Sequence, residues 1–369
     1  MDHKNKKIIQ SLNPKKILIP ILIGVVVVMF MIFSGDGIDF QEVKVHFQKA
    51  NIYWFLFALV VLFARDLGYI YRIRHLTDKN LSWVSSVYVI LLWEFASAVT
   101  PSVVGGTAIA VIIMNQENIS FGRSLAYVML TAVLDNLFFV FASLFVLLAL
   151  PFDIFPNLKE MTALRFDLPL KSIFILSVSL VAVYTFLMSF GLFFQPRAFK
   201  WVLIKATNNR FLRRFRSLAA QSGDDVITAS AVLKGERWDY WVKAGLSTIF
   251  IWSARYFMLN CLIAAFSGVD VWDHLLIFSR QIIMWVIMLI SPTPGSTGTA
   301  EYTFELFFGE FFEYSGLALA VALFWRLFTY YAYLGVGAIT IPRWIQRVFY
   351  KDLKKETQTA DESENVLKD

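Results

Sequence analysis

The sequence predicts an all-α polytopic membrane protein with six full transmembrane helices and two inverted re-entrant helical hairpins. Three observations carry this. The first is composition: of 369 residues, 57% are hydrophobic and 17% charged, with a mean hydropathy of +0.60. Soluble proteins hold roughly 45–50% apolar and about 25% charged residues. The second is segregation. Charges crowd into the N-terminus, the stretch 195–243 and the tail after Arg343. Between them run apolar segments, several long enough for a hydrocarbon core of ~30 Å. The third is a pair of matching Pro/Gly interruptions inside two overlong apolar stretches.

The basic N-terminus, residues 1–16, is expected in the cytoplasm. Ile17–Phe33 is long for a signal-peptide core, and no small-x-small pattern follows Phe33. It reads as an uncleaved first span. The membrane domain is expected over 17–345, with a basic cytoplasmic loop over 195–242, followed by a polar cytoplasmic tail, 346–369. Further apolar segments are Ile52–Tyr71, Leu81–Met114, Ser124–Leu150, Lys171–Phe194, Lys243–Phe266, Trp272–Phe312 and Leu317–Ile341.

Charge bias tests how many of these cross. With the N-terminus inside, Ile17–Phe33 goes out and Ile52–Tyr71 returns. The loop bearing Arg72, Arg74 and Lys79 is then inside. If Leu81–Met114 crossed once, Gln195–Trp241 would fall outside, although it carries nine Lys and Arg residues. The conflict vanishes if Leu81–Met114 enters and returns on the same side. Its interruption is Thr100-Pro101-Ser102-Val103-Val104-Gly105-Gly106. Proline removes a backbone donor and clashes with the preceding turn; the glycine pair adds conformational freedom. Trp272–Phe312 has the same architecture, broken at Ser291-Pro292-Thr293-Pro294-Gly295-Ser296-Thr297-Gly298. Under this topology it enters from the other face, and both termini are cytoplasmic. Broken helices at corresponding places in two inverted halves point to a transporter binding site. Two Pro/Gly-kinked helices without a cavity are the plain alternative. Non-helical backbone at membrane depth persists only where protein buries it or water lines it.

Ionisable side chains within apolar spans indicate function. Glu94, Asp135, Arg255, Arg280, Glu301, Glu305 and Arg326 qualify, with Arg123 at a span edge. Arg65 and Asp66 read as a snorkelling pair near the inner end of their helix. Arginine grips phosphate with a bidentate fork, so an anionic lipid headgroup is a sensible partner for Arg255, Arg280 and Arg326. Structural pairing with the carboxylates is the competing reading. Helix N-termini after each break favour anions, and Glu301 is placed to cap the second. The basic, aromatic run Arg210–Arg216 reads as an interfacial helix on an anionic leaflet, or simply as a topology signal.

Other chemistry lacks its residues. Cys261 is the single cysteine, and the four histidines have no ligand spacing, so no metal or other cofactor is expected. No phosphate-binding glycine–lysine loop or nucleophile elbow occurs. The net charge of +6 flanks spans rather than forming a nucleic-acid face.

Glu94 through Asp135, centred on Thr-Pro-Ser-Val-Val-Gly-Gly-Thr, resembles the transmembrane region of lysylphosphatidylglycerol synthases. So do Ser-Pro-Thr-Pro-Gly-Ser-Thr-Gly-Thr-Ala-Glu, ending at Glu301, and Arg326 with Phe328-Thr329-Tyr330-Tyr331. That resemblance implies a flippase domain moving a phospholipid or other lipid-linked anion between leaflets of a bacterial cytoplasmic membrane. Taken together, the breaks, the intramembrane charges and the resemblance give as expected substrate-binding positions Glu94, Pro101, Gly105, Gly106, Arg123, Asp135, Arg255, Arg280, Pro294, Gly295, Gly298, Glu301 and Arg326. The family's full-length enzymes add a soluble aminoacyl-transferase domain. Here only 26 residues follow Arg343, so the expectation is a non-enzymatic translocator. A membrane-embedded transferase on a lipid carrier, an accessory subunit of a lipid-modifying enzyme and a scaffold are the alternatives. Expected partners are membrane lipids, with a separately encoded lipid-modifying transferase and a second copy of the chain left open.

Overall fold

A computed structural model of the protein describes residues 40–100, 103–150, 154–156, 170–208, 213–289, 296, 299–313 and 315–348, and every regular element among them is helical. The expected first span, Ile17–Phe33, and most of the polar tail lie outside the described residues.

A short helix α1 (Phe40–Lys49) leads into α2 (Ile52–Leu76), capped by Asn51, whose side chain accepts from the Tyr53 N–H at 3.0 Å. Next come α3 (Trp83–Val99), α4 (Val103–Gln116) and α5 (Phe121–Ala149). Helix α6 (Leu170–Ser189) runs into a π turn, Phe190–Phe194, and then into α7 (Pro196–Ala206) and α8 (Arg216–Leu233). The second half holds α9 (Trp238–Phe266), α10 (Val271–Leu289), α11 (Thr299–Phe308) and α12 (Ser315–Arg326). A π turn at Leu327–Tyr331 joins α12 to a continuation reaching residue 348.

Five helices are long and apolar enough to cross a membrane: Ile52–Leu76, Phe121–Leu148, Leu170–Phe194, Trp238–Phe266 and Gly316–Val348. They are the five expected after residue 40. Helices α3 and α4 are apolar but short. At 1.5 Å per residue their 17 and 14 residues extend only about 25 and about 21 Å. They pack against one another. Ser85, near the start of α3, donates to Glu117, just past the end of α4, at 2.8 Å. The chain therefore leaves this pair at the end where it entered, as a hairpin. Gly106 shows how closely the arms meet. A Cβ built there would sit 2.2 Å from the Ser97 hydroxyl and 3.0 Å from the Ser97 Cα. Helices α10 and α11 pack together likewise, and Arg280 on α10 reaches the Phe307 carbonyl at 2.8 Å and Glu310 at 2.8 Å.

The most extensive helix contact joins α2 to α9, the helices that immediately precede the two hairpins. They run antiparallel. At one end the Asn51 N–H donates to the Ala265 carbonyl at 2.7 Å. At the other, the Tyr240 hydroxyl donates to the Leu76 carbonyl at 3.0 Å. An antiparallel pair is what helices at matching places in two inverted halves would form. Gly68 lets the two backbones close up, since a Cβ there would meet Ile251 Cγ1 at 2.9 Å. Apolar burial does not drive helix association within lipid, so such small-residue contacts and interhelical hydrogen bonds carry it.

The structure corrects three local readings. Stretch 195–241 is not an open loop: α7 and α8 pack on each other, and α8 packs on α5. Its amphipathic helix precedes the Arg210–Arg216 run, of which residues 210–212 lie outside the described residues. Helix α7 exposes Trp201 and Val202 beside Arg197 and Lys205. Finally, α2 continues five residues beyond Tyr71, which takes Arg72 out of the loop and into the protein interior.

Candidate functional site

Positions 65, 66, 69 and 72 follow helical spacing along α2, and 248, 252 and 255 do so along α9. The two rows face each other, so the principal helix interface is also the most polar part of the interior. Arg72 is 3% exposed. It grips Asp135 of α5 through Nη1 at 2.5 Å and Nη2 at 3.4 Å, and it also reaches the Thr248 hydroxyl at 3.0 Å. The Trp252 indole N–H adds a third donor to Asp135 at 2.8 Å. Asp135, expected to meet substrate, is thus fully engaged by Arg72 and Trp252.

Arg65 is wholly buried, so it does not snorkel. Its Nη2 is 2.8 Å from Asp66. The Tyr333 hydroxyl, from the continuation of α12, donates to Asp66 at 2.7 Å and also contacts the Arg65 guanidinium. The reason is geometric: the helix continuing from α12 brings Tyr333 against this face of α2, and an unpaired charge buried there would be costly.

Arg255 is held more loosely. Its Nη1 donates to the Tyr69 hydroxyl at 3.1 Å and stands 3.7 Å from Glu94 on α3, beyond hydrogen-bond distance. Its side chain is 30% exposed and that of Glu94 19%. The face of Trp252 backs the guanidinium at 5.2 Å.

A second group lies near the breaks. Glu301, in the first turn of α11, is fully buried and accepts from Arg326 Nε at 3.0 Å. Arg326 lies over the Tyr330 ring at 4.2 Å. The Tyr330 hydroxyl donates to the Ala98 carbonyl at 3.3 Å, two residues before the break in the first hairpin. The π turn at Leu327–Tyr331 produces this alignment, and such turns recur at functional sites. The return arm of the second hairpin is thereby connected through α12 to the tip of the first.

Of the other expected positions, Gly105 and Gly106 lie in the opening turn of α4. Pro101, Pro294, Gly295 and Gly298 lie outside the described residues. Arg280 clips the two arms of its own hairpin and shares no partner with the groups above. Arg123 is exposed in the first turn of α5. Sequence reasoning missed Tyr69, Arg72, Thr248, Trp252 and Tyr333. It also missed Glu117, buried under Ser85, Trp344 and Arg347. Spacing on α2 offered a signal for Tyr69 and Arg72; the others are ordinary residues until the helices pack.

The family model described as lysylphosphatidylglycerol synthase TM region matches residues 17–337. A curated relative from Archaeoglobus fulgidus, described as a UPF0104 membrane protein, is 26% identical over 301 residues, covering 78% of this chain and 82% of its own. No solved structure gives a significant match.

Proposed function

The chain belongs to the lysylphosphatidylglycerol synthase TM-region family, and on that premise we propose that it moves a lipid with an anionic, phosphate-bearing headgroup between the leaflets of a cytoplasmic membrane. One observation carries the reading. The interface of the two counterpart helices holds a guanidinium, Arg255, that is partly exposed and not hydrogen-bonded to its carboxylate neighbour. Buried arginines in tight pairs serve structure. One with unused donors in a polar recess can exchange its neighbour for a phosphate, whose oxygens match the guanidinium fork.

In this reading Arg255 takes the phosphate and Tyr69 steadies it through the hydroxyl already 3.1 Å away. Arg72 and Asp135 form the fixed polar wall. The headgroup passes between the hairpins while its acyl chains stay in lipid. The linked group Glu301, Arg326, Tyr330 and Ala98 lets a shift of one hairpin bear on the other. Translocation then needs no covalent chemistry, only a polar path past the apolar core.

The test is translocation of a fluorescent phosphatidylglycerol analogue in proteoliposomes, read by chemical quenching of the outer leaflet. Arg255→Ala should slow exchange at least tenfold while eluting as a monodisperse species, and Arg326→Ala should slow it as well. Wild-type rates in both folded variants would reject the assignment.

A further inference from the structure

Building on that reading, we propose that Glu94 is a proton-binding partner of the transported anion: each phosphate that binds Arg255 brings one proton onto Glu94. Four arginines within the apolar helices have a carboxylate at hydrogen-bond distance. Arg65 holds Asp66 at 2.8 Å, Arg72 holds Asp135 at 2.5 Å, Arg280 holds Glu310 at 2.8 Å and Arg326 holds Glu301 at 3.0 Å. Arg255 and Glu94 are the exception at 3.7 Å. Among the described residues no donor lies within hydrogen-bond distance of Glu94; Arg255 is its ion-pair neighbour, and Asp66 is a like charge close enough to interact with it.

The charge balance gives the coupling. The surrounding groups are Arg65, Asp66, Tyr69 and Arg72 from α2, Asp135 from α5, Arg255 and Tyr256 from α9, and Tyr333 from α12. With Arg65 offset by Asp66, Arg72 by Asp135 and Arg255 by Glu94, the cluster is neutral by itself. A phosphate monoanion added to it would leave one uncompensated negative charge beside the Glu94 carboxylate, in a medium that screens poorly. A proton on Glu94 removes that repulsion and frees Arg255 to face the phosphate. The occupied recess is then neutral again. Proton and anion affinities are linked reciprocally, so a pH difference across the membrane would bias the direction of transport.

The experiment uses the full chain in detergent micelles, with dihexanoyl-phosphatidylglycerol as probe, from about pH 5 to about pH 8. Wild-type affinity should weaken as the pH rises, by up to ~10-fold per pH unit, the slope for one linked proton. In weakly buffered solution each bound lipid should take up one proton. Glu94→Gln should bind with a flat pH profile and no uptake, whereas Glu310→Gln, whose partner Arg280 lies outside this cluster, should keep the slope. Binding without proton uptake in the wild type, or a slope that survives Glu94→Gln, overturns the coupling but leaves the headgroup reading standing. Absence of any binding by the wild type overturns both. If Glu94→Gln does not yield monodisperse protein, the wild-type proton count decides: one supports the proposal and zero rejects it.

Discussion

Removing the Asp135 carboxylate should destabilise the protein through the arginine it leaves behind. Asp135→Ala deletes both contacts to Arg72 and the acceptor for the Trp252 indole. Arg72 then keeps the Thr248 hydroxyl and the face of Tyr69, 5.3 Å away. Breaking one side of a buried pair costs about 3–5 kcal/mol. The Asp135 side chain is 22% exposed, so water reaches it and the low end applies, about 3 kcal/mol. That is about two powers of ten in the ratio of folded to unfolded protein. Replacing both charges, Arg72→Met with Asp135→Leu, should recover all but about 1 kcal/mol, the remainder being the orphaned indole N–H. Equilibrium unfolding of the wild type, Asp135→Leu, Arg72→Met and the double variant in mixed micelles closes the double-mutant cycle, with Asp135→Ala measured beside it. A loss below about 1 kcal/mol for Asp135→Ala, or a double variant no more stable than that single one, would refute the argument that Arg72 is the dominant liability.

Gly106→Val should cost about 1–3 kcal/mol by overpacking, because Ser97 Cα is backbone and cannot rotate away. Gly335→Val should cost less than half of that, since nothing lies within 4 Å of a Cβ there; thermal unfolding of the two variants in detergent gives the comparison. For topology, a cysteine at Ser217, which is exposed, should react with a membrane-impermeant maleimide from the cytoplasmic side alone. The native Cys261 is buried and should stay silent. Labelling of Ser217→Cys from the opposite face would remove the double-hairpin topology.

Hydropathy and charge were enough to recognise a helical membrane protein and to place its five long apolar helices after residue 40, with ends that differ by up to about two turns. The reason is that lipid imposes one-dimensional rules: a span must be apolar for a set length, and Lys and Arg gather on one side. Those rules do not say which helices touch. Arg65 and Arg72 show the limit, since snorkelling or a cytoplasmic loop suits either residue while α2 is considered alone. Only when α5, α9 and α12 close around α2 do Asp135, Thr248 and Tyr333 arrive as partners, and burial follows from that packing. Pairing likewise separated the arginines. Arg255, Arg280 and Arg326 look equivalent in an apolar sequence, yet 3.7 Å to Glu94, 2.8 Å to Glu310 and 3.0 Å to Glu301 make them different groups. Intramembrane charge is costly enough to be visible in any sequence. Whether its neighbour stands within hydrogen-bond reach or an ångström beyond depends on contacts between residues up to hundreds of positions apart, and that is decided by the tertiary fold.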